Sequence, residues 1–245
     1  MRCLVLSDVH ANIDALDAVL ADAARHGDLL VLMLGDLVGY GAAPNAVIER
    51  FLSLPLAAAV RGNHDRAASG LDDAESFNDV ARASAVVTAR LLTAAHREYL
   101  RSLPAGPLAV SPLTEICHGA PFDEDAYVFD EMDAVYALRA ASRPLCLFGH
   151  THAPFAARLR EDELEFVDAS PGVVIPVAPD ARLVINAGSV GQPRDGDPRA
   201  GYGVLDEEAG TMTCYRVEYP VERAQARILE AGLPEALARR LALGR

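Results

Sequence analysis

The sequence predicts an α/β fold in which a layered β-sheet is covered by helices. Three observations carry this expectation. Short aliphatic runs alternate with helix-like patterns through the first half of the chain, and Gly, Pro and Asp residues punctuate the runs. The chain has 245 residues, 51% hydrophobic and 23% charged, which is enough to bury a substantial core. Alternation of this kind is the pattern of parallel strands joined by crossover helices.

Taken in order, RCLVLSD reads as a first strand, and Asn12 is placed to cap a helix with Ile13, Leu16, Val19 and Leu20 on one face. DLLVLMLGD is a second strand, Pro44 to Leu52 a second helix, and LAAAVRGNHD a third strand. Residues 73–101 are helical in pattern, within a 67–103 stretch that could cap a pocket. Strands return at LTEICHGAP and PLCLFGHTH, on either side of the acidic-then-helical DEDAYVFDEMDAVYALRAA. Beyond Pro154 the chain turns β-rich, with FAARLR, LEFVD, GVVIPV, RLVINAGS, YGVLD and MTCYRVEY separated by turn residues. Val221, Ala224, Ile228, Leu233, Leu237 and Leu241 then mark one helical pattern over 221–243, expected to pack outside the sheet. Without a linker or internal repeat, the expectation is one domain over 1–245.

Net charge is −13, with no basic run or basic–aromatic cluster. Long nucleic acid is therefore not an expected partner, because its binding rests on phosphate neutralisation. A small phosphate ester remains open if bound cations supply positive charge. No apolar stretch approaches the roughly eighteen residues that span a bilayer, so no membrane association is expected. MRCLVLSD reads as a strand and not a signal peptide. Cys3, Cys117, Cys146 and Cys214 are dispersed in apolar runs, the pattern of buried thiols in a reducing cytoplasm.

Polar residues collect where strands end, in SDVH, LGD, RGNHD, CHGA and GHTH. Functional groups at the carboxyl ends of strands in an α/β sheet share one edge, where ligands bind. Five of the seven histidines lie in these motifs: His10, His64, His118, His150 and His152. His26 and His96 fall in helical segments, where surface placement explains them. Each motif alone reads equally as a cap, turn or strand end. Jointly with Asp8, Asp36 and Asn63, they would crowd one edge with groups that need partners or metals when buried. Imidazole mixed with carboxylate and amide oxygen suits borderline divalent ions such as Mn, Fe, Zn, Co or Ni. The dispersed cysteines exclude an all-thiolate zinc site. Seven donors are too many for one ion with an open position, and they suit two ions roughly 3.5–4 Å apart. On an extended chain, the i, i+2 spacing of His150 and His152 would point both rings the same way, as if toward one ion.

The ordered set Asp8-Val9-His10, Gly35-Asp36, Gly62-Asn63-His64-Asp65, His118 and Gly149-His150-Thr151-His152 resembles the calcineurin-like metallophosphoesterases. INAGSVGQPRDGDPRAGY extends the likeness to about residue 203, toward small bacterial and archaeal members. The resemblance implies a four-layer α/β/β/α sandwich of two mixed sheets flanked by helices. It implies one metal on Asp8, His10, Asp36 and His152, and a second on Asp36, Asn63, His118 and His150, with Asp36 as bridge. His64 would touch no metal and would stand near the leaving-group oxygen as proton donor or transition-state stabiliser. The implied activity is hydrolysis of a small phosphodiester or nucleotide, a dinucleoside polyphosphate included, by attack of a metal-bridging hydroxide. Phosphomonoesterase or protein phosphatase activity is the alternative, and a non-catalytic scaffold a remoter one.

The chain departs from the family in three places. Protein Ser/Thr phosphatases carry G-D-x-V-D-R-G, whose Asp supports the catalytic histidine and whose Arg grips phosphate; here the segment is Gly35-Asp36-Leu37-Val38-Gly39-Tyr40-Gly41. Ala11 stands where small bacterial relatives carry glycine, and Ala187 where they carry proline. Arg194, Asn12 and Tyr40 are candidate substrate contacts, with Phe77 and Asn78 as further ones from the helical stretch.

Overall fold

The alternation of β1 (Arg2–Leu6) sets the layering. Cys3 and Val5 face one side and Leu4 and Leu6 the other, and all four are buried, so a period of two yields two cores. The computed structural model describes residues 1–245. The chain continues through α1 (Ile13–Ala23), β2 (Leu30–Met33), α2 (Pro44–Leu52), β3 (Leu56–Ala59), α3 (Asn63–Ser69), α4 (Asp79–Leu91) and α5 (Ala94–Ser102). Next come β4 (Leu108–Ala109), β5 (Thr114–Ile116), α6 (Glu131–Ala140), β6 (Leu145–Leu147), β7 (Pro154–Arg160) and β8 (Glu163–Phe166). The chain ends with β9 (Val174–Pro176), β10 (Arg182–Ala187), β11 (Ala200–Asp206), β12 (Thr211–Val217), α7 (Val221–Glu230) and α8 (Glu235–Leu241).

The strands form two six-stranded mixed sheets, ordered β3-β2-β1-β11-β12-β9 and β4-β5-β6-β10-β7-β8. In each, a parallel run (β3-β2-β1 and β5-β6-β10) continues into antiparallel neighbours. Leu4, Leu6, Val31 and Met33 join α1, α2, α7 and α8 in one core. Cys3, Val5, Leu145, Leu147, Leu183 and Ile185 fill the space between the sheets. Ala134, Ala137 and Leu138 of α6 cover Cys146, Phe148 and Val184 on the far side. The expected four layers are therefore present. Each fully buried leucine contributes about 1.5–3 kcal/mol relative to exposure. All four cysteines are free and buried, and no helix is long and apolar enough to cross a membrane.

Three elements differ from expectation. The third strand stops at Ala59, and Asn63 and His64 instead open α3. The Asp65 carboxylate receives the Gly62 N–H at 3.0 Å, a capping interaction that favours helix entry. The 221–243 pattern is two helices, because Gly232 takes φ +69° after α7 and Pro234 cannot continue its hydrogen bonding. Finally, β6 ends at Leu147, and both His150 (φ +66°) and His152 (φ +60°) are left-handed, not extended.

Candidate metal centre

Loops at the strand ends converge their polar side chains as the motifs imply. Asp8, His10, Asp36 and His152 form one buried group and Asp36, His118 and His150 another, so Asp36 belongs to both. Asp36 Oδ2 lies 3.5 Å from His10 Nε2 and 3.5 Å from His118 Nε2. Half-buried Asn63 joins the second group, its Oδ1 3.1 Å from His118 Nε2. His150 and His152 part company: His150 Nδ1 is 3.1 Å from His118 Nε2, while His152 Nε2 is 3.1 Å from His10 Nε2. The left-handed backbone at both residues replaces the same-side geometry that an extended chain would give.

The donor chemistry fits divalent cations. His10 Nδ1, His118 Nδ1 and His152 Nδ1 donate to the carbonyls of Val38, Leu34 and Gln192 at 3.0, 2.9 and 2.6 Å. His150 is reversed, its Nε2 donating to Asp125 O at 3.1 Å. Each ring thus turns its other nitrogen toward its neighbours, the outer-sphere arrangement that orients metal-ligating histidine. Lone pairs 3.1 Å apart repel unless a proton or a cation lies between them. Burial pushes His10 and His152 well below the usual histidine range; burial and then His118 take His150 down to about 3. Burial also acts downward on His118, but Asp36, Asp8 and the Leu34 carbonyl outweigh it and raise that ring to about 10. Burial works against ionised Asp36, yet His118, His64 and His10 hold it well below the usual carboxylate range. In the metal-free protein, His118 is the cation of the cluster.

This charge state has a measurable consequence. A raised pKa means that His118 contributes stability below about 6.5, its unfolded value, and loses it as pH rises through about 10. A metal ion needs the neutral ring, so binding releases that proton. Between pH 7 and 9, metal affinity is expected to rise roughly tenfold per pH unit. Calorimetry in buffers of different ionisation enthalpy should find about one proton released per chain at pH 8.

Backbone geometry holds the cluster. Asp8, His10, Ala11, Asp36, Tyr40, His150 and His152 all have φ between +49° and +66°. Such conformations cost about 1–2 kcal/mol each for residues other than glycine, and they gather at functional sites. Ala11, at +51°, adopts a conformation that glycine would take without strain. Asp65, fully buried, accepts the N–H groups of Asp36 (2.9 Å), Gly62 (3.0 Å) and Val38 (3.1 Å), tying the Asp36 loop to α3. Asp36 Oδ1 returns the tie by accepting the His64 N–H at 2.9 Å.

His64 has no supporting carboxylate. Its Nδ1 is buried and unpartnered. A Cβ on Gly39 would lie 2.5 Å from that nitrogen, so the imidazole occupies the space a side chain there would need. The ring is instead held by packing, 4.3 Å from Tyr40 and 4.7 Å from Phe77 between centroids. Burial pushes His64 down to about 4, leaving it neutral near pH 7.

The cluster floors a cleft of ≈ 310 Å³. Tyr40, Phe77 and Tyr127 supply aromatic walls and Arg66 and Arg194 positive charge, with Ser76, Asn78 and Ala81 on the side formed by the helical stretch. Asn12 does not line the cleft. Its side chain caps α1 at Ala15 N and donates to Gly191 O at 2.9 Å, so its candidacy as a substrate contact is corrected to a structural role. Asn78 lines the cleft while also capping α4. His26 and His96 belong to neither donor group and lie half-buried, beside Tyr215 and Asn45 respectively. Sequence reasoning missed Arg66 and Tyr127. Arg66 grips Asp125 at 2.6 Å and Glu124, clamping the loop whose Asp125 carbonyl orients His150 and whose Tyr127 stacks on His150 at 4.0 Å. The acidic run DEDAY was the available signal, since buried arginine needs carboxylates.

The profile of the calcineurin-like phosphoesterase superfamily domain matches residues 1–210. The chain belongs to this superfamily. An uncharacterized protein of Methanocaldococcus jannaschii is 34% identical over 249 residues, covering 98% of this chain and 97% of its own. A metallophosphoesterase from Sphaerobacter thermophilus superposes with a TM-score of 0.85 at 41% identity, over 100% of this chain and 99% of that one. A hypothetical protein from Pyrococcus horikoshii shares the fold at a TM-score of 0.80 and 21% identity, over 100% and 98% of the two chains. This calcineurin-like phosphoesterase is a metal-dependent phosphoric ester hydrolase, and its buried Asp/His groups could hold a dinuclear metal site.

Proposed function

We propose that this phosphoesterase hydrolyses a small phosphodiester or nucleotide, dinucleoside polyphosphates included, with two divalent ions as cofactors. The sharing of Asp36 between two buried donor groups on the floor of one small cleft carries this reading. Asp8, His10, Asp36 and His152 would hold one ion, and Asp36, Asn63, His118 and His150 the other. Mn, Fe and Zn suit these donors. When bound, such ions supply positive charge for phosphoryl oxygens and acidify water.

The chain's own residues orient the ester. Arg194 offers a guanidinium to phosphate oxygens from the cleft wall. His64 has Nδ1 buried against Gly39, which leaves Nε2 as its nitrogen for the cleft. A neutral ring donates an Nε2–H hydrogen bond to the leaving oxygen more readily than it delivers a proton, so His64 acts as a transition-state stabiliser. Tyr40, Phe77 and Tyr127 exclude water around an aryl or nucleobase group. The cleft lies at the small end of ligand sites, roughly 300–1,000 Å³, which favours a small substrate over a folded phosphoprotein. The absence of the Asp-Arg pair at Gly39 and Tyr40 argues the same way.

The purified protein with Mn²⁺ should turn over bis(4-nitrophenyl) phosphate and members of a nucleotide panel faster than 4-nitrophenyl phosphate. Preference for the monoester would favour the phosphomonoesterase alternative, and no turnover of any ester would overturn the reading. His64→Ala is expected to lower kcat roughly 10²–10³-fold while retaining both ions, as elemental analysis would show.

A further inference from the structure

We propose that Arg194 and Arg240 form an anion subsite for a second, unreacting phosphate of the substrate, so that the protein takes polyphosphorylated nucleotides. The proposal rests on the phosphoesterase reading above and narrows its substrate class.

Arg240 lies on α8, beyond the part of the chain that the family profile matches. The fold nevertheless brings it beside Tyr40, one of the residues that line the cleft. Gly196 donates its N–H to Gly244 O at 2.9 Å, which seats the end of the chain on the loop that carries Arg194. The Arg194 N–H in turn donates to His152 O at 3.2 Å, linking that loop to the metal-donor cluster. The Cζ atoms of Arg194 and Arg240 lie 5.6 and 5.9 Å from the centroid of one ring, Tyr40. Both guanidiniums donate to one acceptor, Oε1 of buried Gln192, at 3.1 and 3.3 Å.

Two arginines drawn this close repel unless an anion joins them. In a chain of net charge −13, carboxylates are plentiful, yet neither arginine makes an ion pair. The acids nearest in sequence are committed elsewhere, Asp195 to Arg216 and Asp197 to Arg199. Arg194 Nε is buried without a hydrogen-bond partner. Burial and then the neighbouring Arg194 push Arg240 below its usual pKa, as expected for an uncompensated pair.

The position suits a phosphate next to the reacting one. The Tyr40 ring that both arginines approach is 4.7 Å from the His10 ring and 4.3 Å from the His64 ring. Arg194 lines the cleft with His64, His150 and His152, and Arg240 shares its Tyr40 and Gln192 contacts, so the pair is placed for a phosphate adjacent to the reacting one in an anhydride chain. Guanidinium pairs suit phosphate because their planar donors match its oxygens.

Calorimetry on the Mn²⁺-loaded protein, at fixed free Mn²⁺, tests the subsite without turnover, using AMP and α,β-methylene-ADP as probes. The wild type should bind the two-phosphate probe at least tenfold more tightly than AMP. In Arg240→Gln that preference should fall to within about twofold, with partial recovery in Arg240→Lys. Thermal unfolding of the variants establishes that they are folded, and Arg194→Gln supplies a second variant with the same expected loss of preference. A wild type without preference, or a preference that survives in Arg240→Gln, would overturn the proposal, the latter assigning it to the metals alone. Turnover of bis(4-nitrophenyl) phosphate by the wild type is read separately. Its absence alongside an arginine-dependent preference would sink the hydrolase reading and leave the subsite standing.

Discussion

Asp36→Asn is expected to reduce bound Mn²⁺ from two ions per chain to at most one, and to lower kcat/KM at least about 10³-fold, roughly 4 kcal/mol of transition-state stabilisation. Oδ1 of Asp36 already accepts the His64 N–H, so Oδ2 alone faces both donor groups. An asparagine of the same shape can keep one hydrogen bond to His64. It cannot supply a shared negative charge to both groups. Elemental analysis and aryl-diester kinetics check the two halves of this expectation. Retention of two ions with near-normal rates would show that Asp36 is not the bridge.

Asp65→Leu should be the most destabilising single change near the site. It leaves the buried N–H groups of Asp36, Gly62 and Val38 without an acceptor, at about 1–3 kcal/mol for each. Burial, and then the charge of Asp36, already push the Asp65 carboxyl up to about 7, so its hydrogen bonds offset a real cost of ionisation. Removing the carboxyl relieves that cost in part, and a net loss of roughly 3–5 kcal/mol is expected. For a chain of this size, that lowers Tm by roughly 6–20 °C. Metal affinity should fall with it, because the Asp36 loop and α3 lose their common anchor. Asp65→Asn retains one acceptor oxygen and should be milder. Urea unfolding of metal-free protein measures the difference, and a loss below about 1 kcal/mol for the leucine variant would contradict the assignment.

The residues of the centre were legible because chemistry compresses into short motifs. Asp8, His10, Asp36, His118 and His152 each follow an aliphatic run that the fold turns into a strand. The geometry of those motifs was not legible. A left-handed φ at His150 and His152 is imposed by the surrounding loops and leaves no mark on a sequence whose local preference there is extended. The same gap hid α3, which begins on a residue read as strand, because its entry depends on the side chain of Asp65. Sequence separation explains the other omissions. Tyr127 and Arg240 belong to no motif and reach the cleft region only through the docking of distant segments. Asn12 shows the opposite error: a polar residue beside a metal motif proved to be committed to its own helix and to Gly191.

Whether one carboxylate joins two metal ions is tested most directly by electron paramagnetic resonance of the wild-type protein titrated with Mn²⁺. Two ions held about 3.5–4 Å apart by Asp36 should saturate at two per chain and give the multiline spectrum of an exchange-coupled pair. Saturation at one ion per chain, or two ions with the spectra of isolated Mn²⁺, would contradict a shared centre.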